Sequence, residues 1–313
     1  MNIQKLPPLR WRNVLVLLVL PVALLFSTIG LLAYYWSGIT TMDVVGTGLW
    51  LGFWLFFCVV SVCIKHRLYS HKNGGFIQGW AETFYALSSV VDVQGSILRW
   101  STDHRHHHHG QDPHDIGKGW WWACYGWMLR HYPELEGMNS DLLRKKILVW
   151  QDRHYGKLLL FVCYVPLVTL SVLSEVFTPI SFWQVLLPVV WAQVLTQQNT
   201  IFFVNVLSHF PKLGISYDKS QATDLRGLAG IWGGIFTGGE GRRHGRHHVM
   251  PNQPYLGYWD WNGWVLRLMA WMKIIEIRAP LKLREVSAAI AAKVARAKRT
   301  AAESVTPPIR AKA

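Results

Sequence analysis

Residues 158–211 read LLLFVCYVPLVTLSVLSEVFTPISFWQVLLPVVWAQVLTQQNTIFFVNVLSHFP and contain no Lys or Arg. One membrane-crossing helix needs about 20 apolar residues, so this stretch is too long for one crossing and fits two. The polar break Thr178–Ser181 divides it into spans near Leu158–Phe177 and Phe182–Val206. A second window, Asn13–Ile64, is equally free of Lys and Arg. It divides at Ser37–Asp43, giving spans near Val14–Trp36 and Val44–Ile64. Pro21, Pro166 and Pro188 fall inside these spans, where proline is better tolerated than in soluble helices.

Composition agrees with that division. The 313 residues are 51% hydrophobic and 16% charged, with 18 Trp. Soluble domains carry about a quarter charged residues, so a soluble enzyme is excluded, as are a disordered chain and a disulfide-stapled secreted domain. Cys58, Cys63, Cys124 and Cys163 have no metal-knuckle or CxxC spacing and read as small core hydrophobes. The basic residues lie in the N-terminus (Lys5, Arg10, Arg12), in Lys65–Lys157 and from Lys212 onward. The positive-inside rule puts these three regions, and therefore both termini, in the cytoplasm, as in a bacterial inner membrane. The net charge of +14 then faces anionic headgroups, and no nucleic-acid partner is expected. No small-residue cleavage site follows the first apolar run, so a cleaved signal peptide is not expected either.

Two further stretches stand out: Phe76–Leu98 reads as an interfacial or re-entrant helix, and the Trp-rich Tyr255–Ile277 as a helix lying in the headgroup layer. The expected fold is all-α and integral to the membrane: four transmembrane helices, a His-rich cytoplasmic cap and interfacial amphipathic helices. Residues 1–280 form the membrane domain. Residues 281–313 form a basic C-terminal tail, a surface helix with a disordered end.

The 14 histidines avoid the middle of every span. His66 and His71 stand where the second span ends. His104, His107 and His108 form an HxxHH pattern, repeated by His244, His247 and His248, and Asn205 and His209 close the fourth span. On a helix, positions i, i+3 and i+4 share a face, so each HxxHH presents three imidazoles together. The inventory of about ten donors exceeds the four to six that one metal needs and suits two. Imidazole-only ligation fits Fe, Cu, Zn or Ni better than Mg or Ca, and no ExxH motif of the carboxylate-bridged bundles is present. His114, His131 and His154 read as structural, and His106 and His109 as neighbours of the ligands. A metal-buffering tract in a transporter or sensor is the non-enzymatic alternative, but the spans lack the buried ionisable pathway an ion carrier needs.

From about Ser61 to Ile275 the sequence resembles the integral-membrane fatty-acyl desaturases of the Δ9, three-histidine-box type, acting on acyl-CoA or acyl-lipid. The stretches that carry the resemblance are His66-Arg-Leu-Tyr-Ser-His71, Asp103 to His108, Asp112-Pro113-His114, Gly126-Trp127, Asn205 to His209, and Gly239-Glu240-Gly241 leading to His248. The resemblance implies a site of two iron ions. It implies His66, His71, His104, His108 and His247 on one iron, and His107, His209, His244 and His248 on the other, with Asn205 bound through water. It also implies the reaction: O2 and two electrons remove two hydrogens from adjacent methylenes of a saturated acyl chain, leaving a cis alkene. The electrons come from an external carrier such as a ferredoxin or a b-type cytochrome, which a basic face attracts. Trp100, Trp120, Trp121 and Trp122 are candidate walls of the acyl slot.

Three departures from the family pattern stand out. Arg242-Arg243 lengthens the last box by one residue, the stretch between His108 and Asp112 is short, and Thr102 stands where animal acyl-CoA enzymes carry Arg. None removes a ligand; the last keeps an acyl-phospholipid substrate open. The enzymatic alternative is a His-box hydroxylase or ketolase acting on an alkane, sterol or carotenoid.

Overall fold

The computed structural model describes residues 9–19, 21–23, 26, 41–130, 137–217, 222–278 and 283–305. Most of the expected first span, His131 and the chain beyond residue 305 lie outside them. Within the described residues the chain is mainly helical. Helix α1 runs from Thr41–Cys58 straight into Val59–Ser70. Helices α2 (Gly79–Ser88) and α3 (Ile97–His108) follow. Helix α4 spans Lys146–Phe177, and α5 joins Phe182–Asn199 to Thr200–Val206. The second half holds α6 (Gly227–Phe236), α7 (Glu240–Val249), α8 (Trp261–Trp271) and α9 (Leu283–Val305).

Two described helices are long and apolar enough to cross a membrane, Gly46–Ser70 and Lys146–Phe177. The outer face of α4 leaves Phe161, Leu170, Val176 and Phe177 exposed, an apolar surface that water would not favour. Helix α5 begins where the sequence break predicts: Ser181 accepts from the Gln184 backbone N–H while the Gln184 side chain accepts from Ser181 N–H, a capping box. It does not join the two apolar rods, because its second half carries Gln193, Thr196, Gln197, Gln198 and Asn199. Freedom from charge is not freedom from polarity. Those amides are buried against protein: Gln197 donates to Val93 O (3.1 Å), Gln198 accepts from Tyr125 Oη (2.6 Å), and Asn199 accepts from Trp232 Nε1 (2.7 Å).

The rods pack through Trp54, Phe57 and Cys58 of α1, Cys163 and Leu167 of α4, and Val189 and Ala192 of α5, with Val90 and Val91. A second core joins Cys63, Ile64 and Leu68 to Ile97, Leu148, Leu266 and Ile275. All four cysteines are buried and free, consistent with their reading as core residues.

Helix α1 does not end at Ile64. It continues to Ser70 and carries Lys65, His66 and Arg67 into the protein, all buried. Burying a charge demands a partner, and each cation has one. Lys65 Nζ meets Asp92 Oδ1 at 2.6 Å, with both side chains fully buried. Arg67 grips Asp260 with two nitrogens (2.8 and 3.0 Å) and Glu240 Oε2 at 3.0 Å. This fork ties α1 to the starts of α7 and α8.

The all-α expectation needs one correction. Two short antiparallel ribbons close the loops: β1 (Gly74–Phe76) pairs with β4 (Ile275–Ile277), and β2 (Gly214–Ser216) pairs with β3 (Thr223–Leu225). Three-residue strands leave too little alternation for a sequence reading to register. Gly74 permits the first ribbon, because a Cβ there would stand 2.1 Å from Glu276 O. The expected interfacial stretches are broken elements rather than single helices. Phe76–Leu98 holds α2, a 3-10 turn at Ser89–Asp92 and the start of α3; Tyr255–Ile277 holds α8 and β4. Trp80, Phe84, Trp259, Trp264 and Trp271 are nevertheless exposed there.

The buried pairs differ sharply in what their loss should cost. Removing one partner of a buried ion pair costs about 3–5 kcal/mol, whereas an exposed pair contributes at most about 1 kcal/mol. Asp92→Ala, which strands Lys65, should lower the melting temperature of the detergent-solubilised protein far more than Glu82→Ala, whose partner Lys145 is 44% exposed. Equal shifts for the two variants in a thermal melt followed by size-exclusion chromatography would contradict this.

Candidate metal centre

Both HxxHH patterns fall on helices, as their spacing predicts. His104, His107 and His108 form the last turns of α3, and His244, His247 and His248 lie on α7. Helix α1 contributes His66, and His71 follows its last residue. His209 closes the 3-10 turn Leu207–His209 after α5. Thus the four stretches singled out in the sequence meet at one place.

The nine rings form two groups. In one, the ring nitrogens of His66, His71, His104, His108 and His247 lie within 4.8 Å of one another; in the other, those of His107, His209, His244 and His248 do. The membership is the same as the division that the family resemblance implies. Asn205, in the last turn of α5, stands four residues before His209 and is half-buried. In the first group the Nε2 atoms approach in a chain: His66 to His247 at 3.0 Å, His247 to His108 at 3.0 Å, His108 to His104 at 3.1 Å and His104 to His71 at 2.8 Å. In the second, His248 Nε2 stands 3.0 Å from His107 Nε2 and 3.1 Å from His244 Nε2. Two donors at right angles around a centre, with bonds of about 2.0–2.1 Å as for zinc and imidazole, stand about 3 Å apart. The observed spacings are those of a coordination polyhedron's edges.

The far side of the rings fixes which nitrogen carries the proton. Glu240, buried beneath α7, sets Oε1 3.3 Å from His244 Nδ1 and 3.8 Å from His247 Nδ1, and Oε2 3.5 Å from His66 Nδ1. His209 Nδ1–H donates to Val204 O at 3.1 Å, which leaves its Nε2 buried without a hydrogen-bond partner. Asp112 Oδ1 lies 2.9 Å from His107 Nδ1. His244 Nδ1 and His209 Nδ1 are hydrogen-bonded and so hold their protons outward, with Nε2 turned inward as in metal-ligating histidines, whereas Nδ1 of His107 and of His247 has a carboxylate nearby but no hydrogen bond. Burial first, and then the neighbouring imidazoles, keep His71, His104, His108, His209, His247 and His248 well below the ordinary histidine range. They are therefore neutral at physiological pH, the form that binds a metal. Burial works against the charge of Glu240, but His66, Arg67 and His244 outweigh it and hold the carboxyl below its usual range. Inward lone pairs without a cation would only repel, so this donor set fits two metal ions.

Sequence reasoning assigned no role to several residues of this shell. Glu240 sat in a matching stretch, and Arg67 and Asp260 carried no signal beyond their charge. The Gly-Glu-Gly context was the available clue, since Gly239 (φ +89°) admits no Cβ: one would stand 2.4 Å from Trp259 O. His114, read as structural, lies beside the site, with its Nδ1 3.3 Å from Asp112 Oδ1 and its ring centroid 4.5 Å from that of His107. Asp112 is held down to about 2: burial raises it, and His114 and His107 more than offset the rise. His106 bonds Gln111 and His109 bonds Arg105 O, and half-buried His154 bonds Trp150 O. Trp100 stacks on His104 at 5.0 Å, whereas Trp120 and Trp121 are exposed. In the third box the backbone of Arg243 leaves the helical region (φ −120°, ψ 16°), while Arg242 stacks on Trp259 at 4.1 Å.

Replacing Glu240 with Gln keeps the shape but removes the charge beneath three rings. Loss of such an outer partner costs roughly 10–100-fold in metal affinity. The variant should surrender metal to a chelator at correspondingly lower concentration while still inserting in the membrane. Wild-type retention would mean that the carboxylate does not tune the rings.

The sequence profile described as Fatty acid desaturase matches residues 40–271. The sn-2 palmitoyl-lipid 9-desaturase of Nostoc sp. (strain 36) is 30% identical over 270 residues, covering 82% of this chain and 84% of that protein. The sn-1 stearoyl-lipid 9-desaturase of Anabaena variabilis is 29% identical over 285 residues, covering 86% and 90%. The stearoyl-CoA desaturase of Bos taurus is 25% identical over 275 residues, covering 80% and 68%. Two helices long enough for a bilayer, nine histidines gathered in two groups and this match over most of the length agree, and the chain belongs to the fatty acid desaturase family.

Proposed function

We propose that the two imidazole groups hold two iron ions and that the protein uses O2 to place a cis double bond in a saturated acyl chain carried on a lipid or on coenzyme A. The observation that carries this reading is the pair of buried, nearly all-nitrogen donor groups with their lone pairs turned inward. An unactivated methylene has no acidic proton, so side-chain acids and bases have nothing to act on, and a redox metal is required. When bound, the iron pair supplies the oxidising power to remove two hydrogens, and these two hydrogens, O2, two electrons and two protons leave as two waters.

The chain's own residues do the remaining work. Histidine Nε2 atoms on α1, α3, α7 and after α5 would ligate, while Glu240 and Val204 O hold the protons of His244 and His209 on the opposite nitrogens. Arg67 and Asp260 fix Glu240 in a buried, dry setting, and water exclusion protects a strongly oxidising site from side reactions. Asn205 reaches the second iron through water. Thr102 is buried and spends its hydroxyl on Leu98 O (2.7 Å). It offers no cation to a coenzyme phosphate, which supports a lipid-linked substrate.

In the membrane, α5 and the segment near Val14–Trp36 complete four spans with α1 and α4. The termini and the metal centre face the cytoplasm of a bacterial cell, where a ferredoxin or b-type cytochrome delivers electrons to the basic face. Residues 1–280 make up the membrane domain and 281–313 an appended basic segment.

Expression in a host whose fatty acids are profiled by mass spectrometry tests the reading. New monounsaturated chains should appear with the parent chain and vanish with His107→Ala or His247→Ala, although both variants still reach the membrane. Hydroxylated chains without new alkenes would overturn desaturation, and a purified protein without about two irons per chain would overturn the metal assignment.

A further inference from the structure

Helix α9, Leu283–Val305, lies beyond residues 40–271, the part of the chain that the family profile matches. It is a surface helix, as its sequence suggests, but one face is covered: Val286 and Ile290 are 1% and 4% exposed, and with Val294 they make a stripe at i, i+4 and i+8. The stripe packs on Val249, Met250 and Tyr217. Val249 is the last residue of α7 and directly follows His247 and His248.

Helix α7 needs outside support. The departure at Arg243 interrupts it and leaves His244–Val249 as little more than one and a half turns, three of whose six residues are the candidate ligands. So short a helix is not stable alone. Its backbone is gripped from two sides. On one, Gly245 lies against the β2–β3 ribbon, where a Cβ would meet Asp224 N at 2.9 Å and Ile215 O at 3.0 Å; Asp224 Oδ1 accepts from Arg246 N–H at 3.0 Å. On the other, Lys293 of α9 donates from Nζ to Val249 O at 2.5 Å. The carbonyls of a helix's last turn have no partner within the helix, and a lysine there satisfies one and complements the dipole. The two grips are joined, because Tyr217, under the α9 stripe, donates its hydroxyl to Asp224 Oδ2 at 3.1 Å.

We propose that α9 is a brace for the third histidine group, with Lys293 as a positioning residue that fixes the end of α7 and thereby the His247 and His248 rings. The proposal rests on the metal reading for its consequence but not for its geometry. Helix α7 serves both groups, His247 in the first and His244 and His248 in the second, so a loosened end disturbs both metals.

The test uses the full-length chain in mild detergent, with Lys293→Ala, Lys293→Arg and Ile290→Asp beside the parent. Two readouts are taken: amide hydrogen exchange across residues 243–250, and the rate at which a chelator strips iron. Both should rise severalfold in Lys293→Ala and more in Ile290→Asp, and Lys293→Arg should restore the parent values, while exchange in α1 and α4 stays as in the parent. Unchanged exchange across 243–250 in a folded Lys293→Ala protein overturns the brace. A parent chain that carries no iron, together with raised exchange in Lys293→Ala, overturns the metal reading and leaves the brace standing.

Discussion

Neutral imidazoles set lone pair to lone pair repel one another, and the architecture around this site is organised to hold them so. The constraint falls on Glu240. One buried carboxylate lies beneath His66, His244 and His247, which come from two helices far apart in sequence, and it hydrogen-bonds the outer nitrogen of His244. A buried carboxylate is itself unfavourable, and Arg67 offsets it. Because Arg67 also grips Asp260 at the head of α8, one cationic fork links a helix long and apolar enough to cross a membrane to the carboxylate beneath the histidines and to the start of α8.

That linkage explains why α1 runs past the point where its apolar character stops. In many membrane helices a Lys-His-Arg triplet marks the boundary with water. Here Lys65, His66 and Arg67 are all buried and point to different partners: an aspartate after α2, the metal site and the α7–α8 carboxylates. The same helical turn closes a membrane segment and opens the reactive centre. This suits a substrate whose reacting carbons belong to a chain at home among lipids.

The histidine spacing in the sequence was enough to locate the site, because i, i+3, i+4 repeats have one geometric meaning on a helix. Windows without Lys or Arg located the apolar rods as well, and the break at Thr178–Ser181 coincides with a capping box. What escaped the sequence had physical reasons. Charge counting cannot weigh amides, so α5 looked as apolar as α4 although Gln193, Gln197 and Asn199 line it. The partners of Arg67 lie 173 and 193 residues away, and no local pattern reports such a pairing. His114 lacks a second histidine at helical spacing and was set aside, yet the turn after α3 returns it to His107. The two ribbons are too short for any alternation to show. Helix α9, rich in Ala and basic residues, resembles a solvated tail until the Val286–Ile290–Val294 stripe is seen against α7.

The irregular backbone at Arg243 has a consequence for how such boxes are counted. One residue added to a regular helix swings everything beyond it by about 100°, which would turn three ligands away from their metals. Here the backbone takes a single non-helical step at Arg243, and the three imidazoles beyond it meet the two ring groups. The angular phase of the third box is thus set from its far end, by the ribbon and α9, and not by its distance from Gly-Glu-Gly. Pattern searches that fix that distance will pass over enzymes whose metal-binding geometry is intact.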